Sequence, residues 1–283
     1  MKIAFAGERG AFAELAAAQY FGPRNSLAPV PEFDDVFTAV SRGKAVHGII
    51  PIENSLTGSI HQNYDLLLES NLFITGEIFL RVAHCLIANH GVRPRDIRRV
   101  FSHPQGLAQC KKYLARLPRV ERVPVSNTAV AARTIRDKQL LDAAAIASLQ
   151  AAIDYDMNVL ARNIEDNKAN ITRFLILSRR RAAVSTGAGS RKTTVVFSLK
   201  NIPGALFKAL SVFALRDIDL LKIESRPVHG KPFEYLFYLD FAGDFGDERQ
   251  QNALNHLREI TMFLRPLGSY DRGKLVEPDC KKR

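Results

Sequence analysis

The sequence predicts an α/β protein: two lobes flanking a cleft, followed by a smaller domain of βαββαβ order, the ferredoxin-like plan. Three observations carry this. Apolar runs of strand length alternate with helical periodicity over the first 178 residues. The stretch 73–89 is almost continuously apolar and β-branched, as a segment crossing between lobes would be. Beyond a linker, the pattern changes to alternating strands around two amphipathic helices. A cleft between two α/β lobes is where small ligands usually bind.

In chain order, "KIAFAG" at 2–7 reads as the first strand, followed by a helix over 15–20, the strand "GIIPI" at 48–52, and a helix carrying Ile60, Tyr64, Leu67 and Leu68. "FITGEIFLRVAHCLIAN", 73–89, is one long bent strand or two strands passing between lobes. A second α/β set follows: "RRVFS", a helix over 103–117 with Leu107, Cys110, Leu114 and Leu117 as its buried stripe, "ERVPVS", a helix around 129–135, and the small-residue run "DAAAIAS". The strand 174–177 would return to the first lobe. This places lobe 1 at about 1–75 plus 160–178 and lobe 2 at about 76–159.

"AAVSTGAGSR" lacks periodicity and follows three arginines, so 179–191 reads as a linker. In the domain 192–274, "KTTVVFSLK" alternates as a strand. Asn201-Ile202-Pro203-Gly204 then turns into a helix with Leu206, Leu210 and Phe213 on one face. "DLLKIES", the alternating "FEYLFYLDF", a helix with Leu254, Leu257 and Leu264, and a short strand near 267–270 complete the set. Residues 275–283 read as a basic tail.

At 46% hydrophobic and 24% charged, the 283-residue chain is a folded globular protein. Glu8 and Arg9 interrupt the apolar start before an export signal develops, and no run approaches membrane-spanning length. Cys85, Cys110 and Cys280 lack metal-ligand spacing and read as reduced thiols, so the expected setting is the cytoplasm. The net charge of +11 invites a nucleic-acid reading, but its concentrated parts fall at 179–181, 191–192 and 281–283, in linker and tail. A positive field can equally steer a small polyanion.

Four polar clusters stand at strand ends. "PIENSLTGSI", 51–60, puts Glu53, Asn54 and Ser55 directly after an apolar run, where a ligand crevice or a plain turn would use them. In "SHPQGLAQC", 102–110, Ser102 reads as a helix N-cap and Gln105 completes a capping box. Gln109, one turn on, shares the face of Gln105, so amides and helix NH groups could also meet an anion. His103 has no metal-like companion. "SNTAVAA", 126–132, opens another helix with Ser126, Asn127 and Thr128, and Asn170, Ile171, Thr172 and Arg173 precede the run 174–177. "GERGAF" is not a full dinucleotide fingerprint, and no phosphate loop, HExxH or nucleophile elbow occurs, so no cofactor or metal is expected.

Taken in order, "PIENSLTGSI", "SHPQGLAQC", "SNTAVAA" and "NITRFLIL" resemble the prephenate dehydratase family, and the domain with "NIPGAL" and "IESRP" resembles the ACT regulatory domain. The resemblance covers nearly all of residues 1–270. It implies a catalytic domain similar to type 2 periplasmic binding proteins and the decarboxylative dehydration of prephenate to phenylpyruvate, toward L-phenylalanine. By position it implies Glu53, Asn54, Ser55, Ser102, Gln105, Gln109, Thr128, Asn170, Arg173 and Phe174 as substrate-binding residues and Thr172 as the catalytic one, with Arg173 and helix N-termini holding carboxylate. Ala13 and Asn127 depart from the family's frequent Ser.

The ACT resemblance implies that L-phenylalanine binds between two such domains, at Asn201, Pro203, Gly204, Ala205, Leu206, Glu224, Ser225, Arg226 and Pro227. Feedback inhibition and a homodimer or homotetramer would follow. The chemistry needs neither cofactor nor strong base, since loss of CO2 supplies the electrons that expel hydroxide. Two alternatives stay open: arogenate as substrate, and a non-catalytic small-anion binder of the same architecture. A fused chorismate mutase is not expected, because a strand begins at Lys2.

Overall fold

The computed structural model describes residues 1–117, 119–182, 191–228, 230–231 and 233–277. These residues group into two compact units: those within 1–60, 78–174 and 275–277, and those within 61–77 and 175–274.

The first unit opens with β1 (Lys2–Ala6), α1 (Phe12–Phe21), β2 (Ser26–Val30), α2 (Phe33–Ser41), β3 (His47–Asn54) and β4 (Gly58–Ser59). β1 pairs in parallel with β2 and β3, each joined through a helix, so its residues Ile3, Ala4 and Phe5 are buried on both faces. After α3 (His61–Glu69) come β5 (Phe73–Arg81), β6 (Cys85–Ala88), β7 (Arg99–Ser102), α4 (Pro104–Gln109), α5 (Lys111–Leu114), β8 (Glu121–Pro124), α6 (Thr128–Asp137), β9 (Ala143–Ala147), α7 (Leu149–Asp154), β10 (Asn158–Ala161) and β11 (Ile171–Ser178). The second lobe's sheet has the order β10-β6-β9-β7-β8. Its central β9 is almost all alanine, a poor strand former, yet every residue is fully buried; the packing of small side chains on both faces overrides propensity.

The second unit adds β12 (Arg191–Ser198), α8 (Ala205–Ala214), β13 (Leu220–Pro227), β14 (Tyr235–Ala242), α9 (Glu248–Ile260) and β15 (Phe263–Asp271) in the expected βαββαβ order, with antiparallel neighbours in the sheet order β13-β14-β12-β15. Val195, Phe197, Leu239 and Phe241 pack against Ala209, Val212, Phe213, Leu254 and Leu257 of the two helices. The last described strand is β16 (Leu275–Val276).

Several expectations are corrected. The sheet containing β1 has the order β16-β5-β11-β3-β1-β2, so β5 stays in the first lobe through Arg81 and the second lobe's strands run from Cys85 to Ala161 instead of 76–159. β5 runs unbroken through Gly76, since a single glycine is tolerated inside a strand. The helix expected over 103–117 is two short helices parted at Cys110. Leu275 and Val276 are not tail: they pair with Phe79 and Leu80. Arg191 belongs to β12, while linker residues 183–190 and tail residues 278–283 lie outside the described residues. The end strand runs 263–271, longer than expected.

Residues 61–77 group with the downstream domain, not with lobe 1. Arg265 donates to the carbonyls of Leu67, Leu68 and Ser70, the acceptors a helix C-terminus leaves unpaired. Tyr238 Oη donates to Tyr64 O, and Arg226 forms a two-pronged pair with Asp65. Side chains between 161 and 198 positions away in the chain thus claim α3.

Candidate active site

Between the two lobes of the first unit lies a cavity of about 310 Å³. The first lobe lines it with Ala11, Phe12 and Ala13 at the start of α1, Asn54 and Thr57 at the end of β3, and Thr172 and Phe174 of β11; the second with His103, Gln105, Gln109, Ser126, Asn127 and Thr128. His84 reaches it from the segment between β5 and β6. Among the described residues no lysine or arginine lines it, so of its side chains only the two histidines can carry positive charge. Burial holds both imidazoles below their ordinary pKa and so favours the neutral form; for His84 the Gln109 hydrogen bond and then Glu165 oppose the shift. An anion here meets uncharged donors and the N-termini of α1 and α6, where NH groups lack intrahelical partners.

The polar side chains form one directed network. Asn54 Oδ1 accepts from the backbone NH groups of Leu56 (3.0 Å) and Thr57 (3.2 Å), which assigns its carboxamide unambiguously. Its Nδ2 therefore donates twice, to Asn170 Oδ1 (2.8 Å) and Thr172 Oγ1 (2.9 Å). Asn170 passes the direction on, donating from Nδ2 to Gln109 Oε1 at 2.9 Å. That oxygen also faces His84 Nε2 at 3.0 Å. Thr172 Oγ1 is thus an acceptor from Asn54, and its own proton is left for the cavity it lines.

The lobes meet at several points around this cavity. Gln105 Nε2 donates to Thr57 Oγ1 at 2.6 Å and Arg133 pairs with Glu8 at 2.7 Å. The Gly10 carbonyl accepts from Ser148 Oγ at 2.6 Å, and a Cβ on Gly10 would stand 2.5 Å from Ala151 Cα, so only glycine allows that approach. In the crossing segments Val82 N donates to Asn170 O, while Glu165, buried at 5% exposure, accepts from His84 N and pairs with Arg81.

Of the residues expected in the site, the cavity brings together Asn54, Gln105, Gln109, Thr128, Thr172 and Phe174. Asn170 stands behind them, fully buried in the network. Ser55 instead ties the end of β3 to β11: its Oγ donates to Ala169 O and accepts from Ile171 N. Glu53 pairs with Ser59 in the β3–β4 hairpin and is not in the lining. Ser102 caps no helix. It is the last, fully buried residue of β7 and donates to Ile146 O, while the α4 cap is His103, whose Nδ1 accepts from Gln105 N. Arg173 lies off the lining, because strand alternation puts Thr172 and Phe174 on one face and Arg173 on the other. Holding of carboxylate by Arg173 is therefore withdrawn. Asn127 lines the cavity and caps α6 through Val130 N, and Ala13 also lines it.

In the second unit, Gly204 opens α8 at φ 77°, a left-handed geometry suited to glycine, with Asn201 and Pro203 exposed before it and Ala205 and Leu206 in the first turn. β13 is an edge strand. Its Ile223 and Ser225 are exposed and share the face of their β14 partners Leu239 and Phe237, whose side chains pack toward the helices; Pro227 is exposed at the strand's end. Glu224 and Arg226 point to the other face and are engaged there, with His61 (3.4 Å) and Lys222 (3.2 Å) and with Asp65 (2.7 Å) respectively.

A prephenate dehydratase family model matches residues 3–182, and an ACT domain model matches 193–258. The chain belongs to the prephenate dehydratase family. An Arabidopsis thaliana relative named arogenate dehydratase/prephenate dehydratase 2, chloroplastic, is 51% identical over 95% of this chain and 72% of its own. A prephenate dehydratase from Arthrobacter aurescens, solved in complex with L-Phe, is 34% identical with a TM-score of 0.88, covering 96% of this chain and 90% of its own. A solved structure described as GqqA, a quorum-quenching acylase, also reaches 34% identity and 0.88, over 96% and 98% of the two chains. The dehydratase is thus a lyase of aromatic amino acid biosynthesis carrying an ACT domain. The Arabidopsis name overturns the cytoplasmic expectation, since that relative is chloroplastic. Free thiols at Cys85 and Cys110 argue only against an oxidising route, and a plastid interior satisfies them equally.

Sequence reasoning missed Thr57, which is both a network member and the partner of Gln105, and His84. A signal for His84 existed: it is the one polar residue in the apolar run 82–88 of the crossing segment, and it is 2% exposed.

Proposed function

We propose that the cavity converts prephenate to phenylpyruvate, with Thr172 as hydrogen-bond donor to the departing oxygen. The direction of the network carries this reading: with Asn54 donating to Oγ1, the Thr172 proton is available to the substrate. The bond between the ring and its carboxylate breaks to release CO2, its electron pair enters the ring, and the C–O pair leaves with hydroxide, which takes one proton to become water. Aromatisation drives the step, so the protein supplies donors at the leaving oxygen, anchoring of the dianion by amides and helix N-termini, and a drier setting for the carboxylate that leaves. Thr172→Ala should lower kcat about 100- to 1000-fold with KM little changed, the scale of one lost oxyanion donor. A fully active variant would overturn the assignment.

A second reading, arogenate, has support in the name of the 51% identical relative, which gives both activities. Comparing kcat/KM on the two compounds decides between them. We further infer that residues 192–274 bind L-phenylalanine and inhibit turnover, and that the protein is a homodimer or homotetramer. Support comes from the solved relative with L-Phe and from the exposed Ile202, Phe207, Ile223 and Tyr235 around Gly204 and the edge strand β13. Inhibition by L-phenylalanine in the turnover assay, with mass measured by light scattering, tests this.

A further inference from the structure

We propose that His84 is a positioning residue of this reaction: as the Nε2–H tautomer it fixes the Gln109 carboxamide so that the NH2 group, not the oxygen, is left for the substrate. The proposal rests on the reading of the cavity as the dehydratase site.

The argument follows the hydrogen-bond direction from the backbone. The NH groups of Leu56 and Thr57 make Asn54 a double donor, Asn54 makes Asn170 Oδ1 an acceptor, and Asn170 must then donate to Gln109 Oε1. An oxygen at His84 Nε2 requires that nitrogen to carry the proton. His84 Nδ1 is then a lone pair, buried and without a partner among the described residues. A second proton would have to sit there with no acceptor, so the neutral imidazole is favoured. The ring is held in turn: its backbone NH donates to Glu165 Oε2 at 3.0 Å, and the ring meets Phe12 edge-on with centroids 5.4 Å apart. With Oε1 receiving two donors, Gln109 has only its NH2 to offer an anion. Without His84 one of those two bonds is gone and the carboxamide can turn.

The test uses the full-length protein with prephenate and arogenate. His84→Phe keeps the aromatic shape and removes the donor. It should raise KM about tenfold while kcat changes by less than about threefold, because a weakly held carboxamide loses binding more than chemistry. His84→Gln restores a donor at that reach and should recover most of the KM. In a Gln109→Leu background, His84→Phe should add nothing further, since its effect runs through that amide. Nitrogen NMR of the wild-type histidines should show a neutral ring protonated on Nε2, which decides the proposal even if His84→Phe folds poorly. Three results overturn it: an Nδ1–H tautomer, wild-type KM in His84→Phe while Thr172→Ala has lost its kcat, or a full additional loss in the Gln109→Leu background. If Thr172→Ala is also fully active, the cleft reading fails and His84 falls with it.

Discussion

The cleft network of the first unit and the core of the second bury polarity in opposite ways. In the cleft of the first, Asn54, Asn170, Gln109, His84 and Thr172 are neutral groups arranged as a chain of donors and acceptors whose sense starts at two backbone NH groups. In the second, Lys192 at 5% exposure lies 2.8 Å from Glu77 and 3.3 Å from Asp240, whose other oxygen accepts from Thr194 at 2.6 Å. Charge suits a place that must stay as it is, because a buried ion missing its partner is costly. Neutral donors suit a place that must receive a dianion and then release a product, since a fixed cation would hold both. A chain of +11 whose cleft is lined, among the described residues, by no lysine or arginine shows that net charge and site charge are separate matters.

The comparison can be broken first at the charged end. Lys192→Met leaves Glu77 and Asp240 facing each other, and urea denaturation should show a loss of about 3–5 kcal/mol, the usual result of removing one partner of a buried pair. Replacing all three with apolar or amide groups should recover much of that loss.

At the neutral end, Asn54→Asp preserves shape and both backbone acceptor bonds but cannot donate. Thr172 would turn its proton toward the new carboxylate, and kcat should fall about 100-fold, close to Thr172→Ala, with little change in melting temperature. Equal loss of kcat and stability would mean that the network is merely structural.

The smallest effect is in pH. The folded state holds the His84 pKa below the ordinary 6.5 through burial, against the pull of the Gln109 bond and of Glu165, itself paired with Arg81. The unfolded chain therefore binds more protons than the native one below 6.5. This contribution is fully present above 6.5 and is lost as pH falls from 6.5 through the folded value. Between about pH 7.5 and about pH 5.5, wild-type protein should lose more unfolding free energy in urea than His84→Gln does.

Much of this could be read before folding. Alternating apolar and helical periods announce the βα order of both domains, and the stretches around Asn54, Gln105, Thr128 and Thr172 mark the strand and helix ends that line the cavity. Even the misplaced Arg173 was legible, since the two-residue period of a strand separates it from Thr172 and Phe174. Ser102 misled because a capping box and a buried strand end followed by His-Pro share the same letters.

What the sequence determined by itself is local: which residues are extended or helical, and which polar clusters interrupt them, because backbone preference and apolar spacing act within a few residues. What only the tertiary structure decided is direction and partnership. The tautomer of His84, the free proton of Thr172 and the attachment of α3 through Asp65, Leu67 and Ser70 all depend on atoms more than 20 residues apart. A hydrogen bond has a sense only once both ends are in place, and chain spacing carries no information about a partner that folding alone brings near.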